Sequence, residues 1–230
     1  MASSAATLDY HSFVFEEDTH RYTTSDGVIR PSITQALSNA GVYDFSMVPA
    51  DVLENARRRG SNVHKWCAEL DIHGFFDETW AQDDELPYVE AWRKFKRESK
   101  IVIKRVEFPL VRTVGNMVIA GTPDVEGFIG RNPFVVERKA CRAKHPGWAL
   151  QTALQEMLIT GRPRVGHMGR MSVQLKPEGT YSTCVYDDPT DATGAIAALT
   201  LSTTQDKFEA EDARLTLEAW ATNHNLKLAA

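Results

Sequence analysis

With 230 residues, 43% of them hydrophobic and 25% charged, the chain has the material for one globular domain with a sizeable core, and disorder is excluded as its default state. No stretch approaches the roughly 18 apolar residues of a membrane span, and MASSAATLDY lacks the basic start and apolar core of a signal peptide, so a cytoplasmic protein with no membrane partner is expected. The net charge of −5 argues against a nucleic-acid binder only as a sum, because residues 101–176 carry twelve basic and five acidic side chains while residues 177–230 carry three and nine.

Taken in chain order, SFVFEEDTHRYTTSDGVIRPSITQAL alternates like a small hairpin turning at Asp26-Gly27, after which Pro31-Ser32 starts a short helix. Residues 49–73 place Val52, Leu53, Ala56, Val63, Trp66, Cys67 and Leu70 near helical spacing, with Gly60 as a break or a close-packing point. LPYVEAWRKFKRES repeats the pattern, with Tyr88, Trp92 and Phe95 on one face. Between Arg105 and Lys139 the period becomes that of strands, and RVEFPLVR, MVIAGTPDVEGFIG and PFVVERKA read as a three-stranded meander. HPGWALQTALQEMLITG reads as a helix opened by Pro146 and closed by Gly161. Two strands follow, RVGHMGRMSVQL and TYSTCVYD, and then a helical region over about residues 190–224. The order predicts an α/β fold in which a central mixed β-sheet is flanked by helices, as a single domain with a core over about residues 21–186. Cys67, Cys141 and Cys184 lie far apart, odd in number and without a CxxC pair, and are expected to be reduced.

The chemistry concentrates in GTPDVEGFIGRNPFVVERKA. Side chains alternate along a strand, so Glu137 and Lys139 point one way and Arg138 the other. If the strand carrying Asp124 pairs with this one, two carboxylates meet across the ladder beside an amine. Such a pair invites a hard divalent cation such as Mg²⁺, which takes carboxylate, carbonyl and water oxygens and completes its shell with substrate phosphate. The chemistry indicated is metal-assisted hydrolysis of a phosphodiester, with Lys139 stabilising the developing charge. The competing interpretation is polar strand ends with a surface Glu-Lys pair, since Pro-Asp followed by acid-x-Lys arises by chance in roughly one chain in twenty.

Pro123-Asp124 followed by Glu137-Arg138-Lys139 resembles the signature of the PD-(D/E)XK nuclease superfamily, and Gly121-Thr122 before it matches the GTPD form of RecB-like members. RGSNVH (residues 59–64) resembles the upstream helix motif of that group. WALQTALQ (148–155) resembles the helix after the lysine strand, and RYTTSDGVIRPSITQAL the N-terminal hairpin and helix. The resemblance covers about residues 21–158 and implies a restriction-endonuclease-like core. It implies that His64, Asp124, Glu137 and the backbone carbonyl of Arg138 bind Mg²⁺ or Mn²⁺, with Glu107 a candidate for a second metal. Lys139 is then catalytic and Gln151 lies near the scissile phosphate. Gln155 stands where the group usually has tyrosine, and three dispersed cysteines do not match the four that hold an iron-sulfur cluster in some relatives, so no cluster is expected.

Around this site Arg57, Arg58, Arg59, Arg138, Arg142, Lys144, His145, Arg162, Arg164 and Arg170 are candidates for a phosphate-tracking groove. Trp148 and Gln155 are further candidates for nucleic-acid contact, Trp148 by stacking on a base, although a core position explains Trp148 equally well. No recognition-helix or finger motif appears, so cleavage without sequence specificity is expected. No GxxxxGK[ST] phosphate loop occurs, so unwinding would come from a partner. The resemblance implies an Mg²⁺-dependent DNA exonuclease in phage or bacterial recombination and repair, acting in the bacterial or phage-infected cell. Its expected partners are DNA, a single-strand annealing or recombination protein, and further copies of itself. A structure-selective or single-strand endonuclease, and a non-catalytic nucleic-acid-binding protein with the same fold, remain open beside it.

Overall fold

A computed structural model describes residues 11–17 and 19–223. The elements run β1 (Phe13–Glu16), β2 (Arg21–Thr24), β3 (Ile29–Arg30), α1 (Ile33–Asn39), α2 (Ala50–His73) and α3 (Leu86–Ser99). Then come β4 (Val102–Val106), β5 (Leu110–Val114), β6 (Met117–Gly121), β7 (Val125–Ile129), β8 (Asn132–Ala140), α4 (Gly147–Thr160), β9 (Gly169–Leu175), β10 (Tyr181–Tyr186) and α5 (Thr190–Asn223). The opening MASSAATLDY and His224, at the end of the expected C-terminal helix, lie outside the described residues.

Five strands in the order β10-β9-β8-β7-β4 form the central sheet. It is mixed: β8 and β9 are parallel, linked by the crossover helix α4, and the other neighbours are antiparallel. One face packs on α2 and α3, where Val125, Val136, Met171, Val173 and Leu175 meet Val63, Trp66, Trp92 and Phe95. α4 covers the other face, and its outer side holds α1 and α5 through Leu154, Leu158, Leu37, Ala195 and Leu199. This is the helix-flanked mixed sheet of a restriction-endonuclease-like core. Among the described residues no helix is long and apolar enough to cross a membrane.

Local chemistry sets most boundaries. Ser32 caps α1 through a capping box with Gln35. The residues after α2, α3 and α4, namely Gly74, Lys100 and Gly161, take left-handed conformations. Gly60, expected as a break or a close-packing point, is neither. α2 runs straight through it, and a Cβ there would meet nothing within 4 Å.

The three-stranded meander expected over residues 105–139 is five strands. RVEFPLVR divides after Val106 and MVIAGTPDVEGFIG divides after Gly121, because Pro109 and Pro123 have no N–H for a ladder. β5 and β6 leave the main sheet as a separate hairpin. The two breaks are pinned to each other, since Glu107 N–H donates to the Asp124 carbonyl at 2.9 Å and Phe108 N–H to the Pro123 carbonyl at 3.4 Å. Glu107 takes a left-handed φ of 42°, an unusual conformation for a residue with a side chain. The first break begins with an acid, Glu107, and the second ends with one, Asp124.

Candidate metal centre and catalytic site

The paired breaks bring Glu107 and Asp124 together, and α2 brings His64 to them. Among the described residues, one ligand atom from each of His64, Glu107 and Asp124 falls within 4.8 Å of the others. His64 Nδ1 lies 3.2 Å from Glu107 Oε1 and 3.4 Å from Asp124 Oδ1, while its Nε2 lies 3.1 Å from the Arg138 carbonyl oxygen. Burial works against a charged imidazole here, but Asp124 and then Glu107 outweigh it and push the His64 pKa from 6.5 to about 10. Burial likewise tends to raise the Glu107 carboxyl, yet the contact with His64 and the Arg138 guanidinium hold it below the usual range. Two carboxylates, an imidazole and a backbone carbonyl suit a divalent cation. A charged imidazole there offsets one of the two carboxylate charges, and the Arg138 guanidinium meets Glu107 as well.

Glu137, which the resemblance places among the ligands, is not in this group. β7 and β8 are hairpin neighbours as anticipated, with Val125 opposite Val136, so Asp124 sits one residue past the last pair, beside Glu137. Asp124 turns its Oδ2 to accept the Arg138 backbone N–H at 2.6 Å. Glu137 accepts Gln151 Nε2 at 2.7 Å on one oxygen and Gln155 Nε2 at 2.5 Å on the other. Lys139 Nζ lies 2.7 Å from Glu137 Oε1 and donates to Gln151 Oε1 at 2.9 Å. The backbone of Arg138 thus joins two clusters: its carbonyl and N–H face the His64 group, and the flanking side chains Glu137 and Lys139 face α4.

No protein-family model and no curated protein matches this chain. Solved structures similar to it include SSO0001, at 16% identity over 65% of this chain and 71% of that one, with a TM-score of 0.36. Another is LHK-Exo in complex with dAMP, at 16% identity over 80% of this chain and 93% of that one, with a TM-score of 0.41.

The Arg138 side chain departs from the groove role. It is fully buried, its Nη2 lies 2.5 Å from Glu107 and its Nη1 3.1 Å from Asp71, and it stacks over the Trp92 ring at 5.2 Å. Asp71 also accepts from Lys96 Nζ at 2.6 Å and from Trp92 Nε1. This network holds Glu107 from behind. Arg170 departs too, being buried between Glu156 and Asp191. Arg58 is committed to Glu85, and Arg59 lies over the Tyr88 ring and 3.8 Å from Asp84. Arg142 and Lys144 are exposed. Trp148 has no free face, being 4% exposed against α1 and α5. Gln155 is buried and meets Glu137 rather than solvent.

Sequence reasoning passed over two residues. Asp71 carries no motif, but an acid one helical turn beyond Cys67, on the apolar face of α2, was a signal. Tyr43 donates its hydroxyl to Gln151 Oε1 at 2.9 Å across 108 residues of chain, and nothing local announces it.

Proposed function

We propose that this protein is a metal-dependent nuclease that hydrolyses phosphodiester bonds of DNA, working as an exonuclease of RecB type in phage or bacterial recombination and repair. The observation that carries the reading is the convergence of His64 from α2 with Glu107 and Asp124 from two strand breaks, joined through the Arg138 backbone to Lys139. Mg²⁺ or Mn²⁺ would be held by His64, Glu107, Asp124 and the Arg138 carbonyl. Such a cation, when bound, supplies charge neutralisation at the phosphate and acidifies water.

The chain's own residues then do the positioning. Lys139, with 21% of its side chain open, aims its ammonium from a fixed base of Glu137 and Gln151. From there it orients the attacking water and stabilises the charge that builds on the phosphate oxygens as the new P–O bond forms and the ester P–O bond breaks. Gln151 keeps Lys139 and Glu137 in register, its amide oxygen accepting from Lys139 and Tyr43 while its nitrogen donates to Glu137. Exposed Arg142 and Lys144, just beyond the strand, supply charge for backbone phosphates on either side.

The test is Mg²⁺-dependent degradation of end-labelled linear duplex beside closed circular and single-stranded DNA, with Lys139→Ala as control. Loss of linear DNA from its ends, intact circles and an inactive variant are expected. Cut circles would replace the exonuclease with an endonuclease. Binding of DNA without cleavage in either Mg²⁺ or Mn²⁺ would replace the enzyme with a binding protein.

A further inference from the structure

With Trp148 enclosed, the ring offered to solvent beside the site is a different one. Phe45 is 44% exposed and lies parallel to Tyr43, the planes within 10° and the centroids 6.3 Å apart. Tyr43 is itself 8% exposed, rests against His145 at 4.9 Å, and ends on Gln151. Phe45 is therefore the outer ring of a short column whose inner end touches the amide that also receives Lys139.

The column is built rather than incidental. Ser46 N–H donates to Asp44 Oδ1 and Val48 N–H to the Phe45 carbonyl, which folds residues 44–48 into a turn that holds the ring outward. The start of α4 is cut away for it, since a Cβ on Gly147 would come within 2.8 Å of the Tyr43 ring and 2.7 Å of Val42. Exposed Arg142 and Lys144 belong to the loop that ends at His145, the residue resting against Tyr43, so the loop that supports the inner ring also carries cations for phosphate. That pairing of charge and ring fits a single nucleic-acid strand: backbone on the cations, base on the ring.

We propose that Phe45 stacks on the nucleobase adjacent to the scissile phosphate, a contact that rests on the nuclease reading above. The ring grips the base and Tyr43 sets the distance between that grip and Lys139.

The test uses the Lys139→Ala protein, so that substrate stays uncut, with oligodeoxynucleotides carrying one 2-aminopurine at successive positions. Stacking quenches this base. The expected result is quenching at one position that Phe45→Ala removes, binding about tenfold weaker, and restoration of both by Phe45→Trp. Phe45→Leu, which keeps apolar bulk without a flat ring, is expected to fail like alanine. Removing that base from the oligonucleotide is expected to make Phe45→Ala and its parent bind equally. The melting temperature of Phe45→Ala is expected to match its parent, because the ring is half exposed. Quenching that survives in Phe45→Ala, or equal weakening on the abasic oligonucleotide, overturns the contact. Wild type that cuts DNA while Phe45→Ala binds and cuts identically removes this inference alone. Wild type that neither binds nor cuts removes the nuclease reading and this inference together.

Discussion

Glu137 and Arg138 are neighbours in the chain and opposites in circumstance. Arg138 lies on the α2–α3 side of the sheet, closed off from water and held by Glu107 and Asp71, with Lys96 behind Asp71. Glu137 lies on the α4 side, where two glutamine amides and Lys139 hold it and Lys139 still reaches solvent. One side is a buried ion network in which, among the described residues, the Arg138 Nε finds no partner, and a charge in such a network is costly to leave unpaired. The other keeps a cation that the protein has not fully used. The difference teaches a division of labour across a single strand: Arg138 holds the acid that faces His64, and Lys139 is free to act on something from outside.

The largest effect should come from breaking the closed side. Asp71→Ala takes from Arg138 one of its two carboxylates and from Lys96 the carboxylate it meets, and should lower unfolding stability by about 3–5 kcal/mol in urea titration. A loss below about 1 kcal/mol would show that the network is not a unit. Lys139→Ala on the open side should do the reverse. It should lose less stability than Asp71→Ala, because the Gln151 and Gln155 amides still hold Glu137, while cleavage of linear DNA slows by roughly 100-fold or more. Near-normal turnover there would count against the proposed mechanism.

Tyr43→Phe removes one of two donors to Gln151 Oε1 and tests how much the open side depends on its amides. A stability cost of about 1 kcal/mol is expected, because the oxygen keeps Lys139. Unchanged stability with unchanged cleavage would mean that Lys139 alone orients the amide. The smallest effect concerns pH. His64 has its pKa raised from 6.5 to about 10 in the folded protein, so its contribution is complete below about pH 6.5 and is lost as pH rises through the folded value. Without divalent metal, the urea midpoint should therefore fall between about pH 6.5 and 10 in wild type and less in His64→Gln. Solvent at the partly open ring limits its size. Identical slopes in the two proteins would reject a charged His64.

Helices α3 and α4 were legible to within a residue or so, because apolar spacing and end residues such as Pro146 and Gly161 act over one or two turns of the same segment. The β7–β8 hairpin was legible for the same reason, as was the alternation that sets Arg138 apart from Glu137 and Lys139. The number of strands was not. Pro109 and Pro123 look in sequence like bends within long strands, and only the pairing of Glu107 with Asp124 shows that the chain breaks at both and leaves for a separate hairpin.

By itself the sequence determined what depends on near neighbours: periodicity, caps, and the faces of β8. Tertiary structure alone decided which acids meet. Glu107 rather than Glu137 joins His64 and Asp124 because a backbone hydrogen bond between two distant breaks aims it there, and because the Gln151 and Gln155 amides engage both Glu137 oxygens. It also decided that Trp148 faces inward and Phe45 outward. A ring's chemistry is written in its residue type, but its exposure depends on what the rest of the chain brings against it.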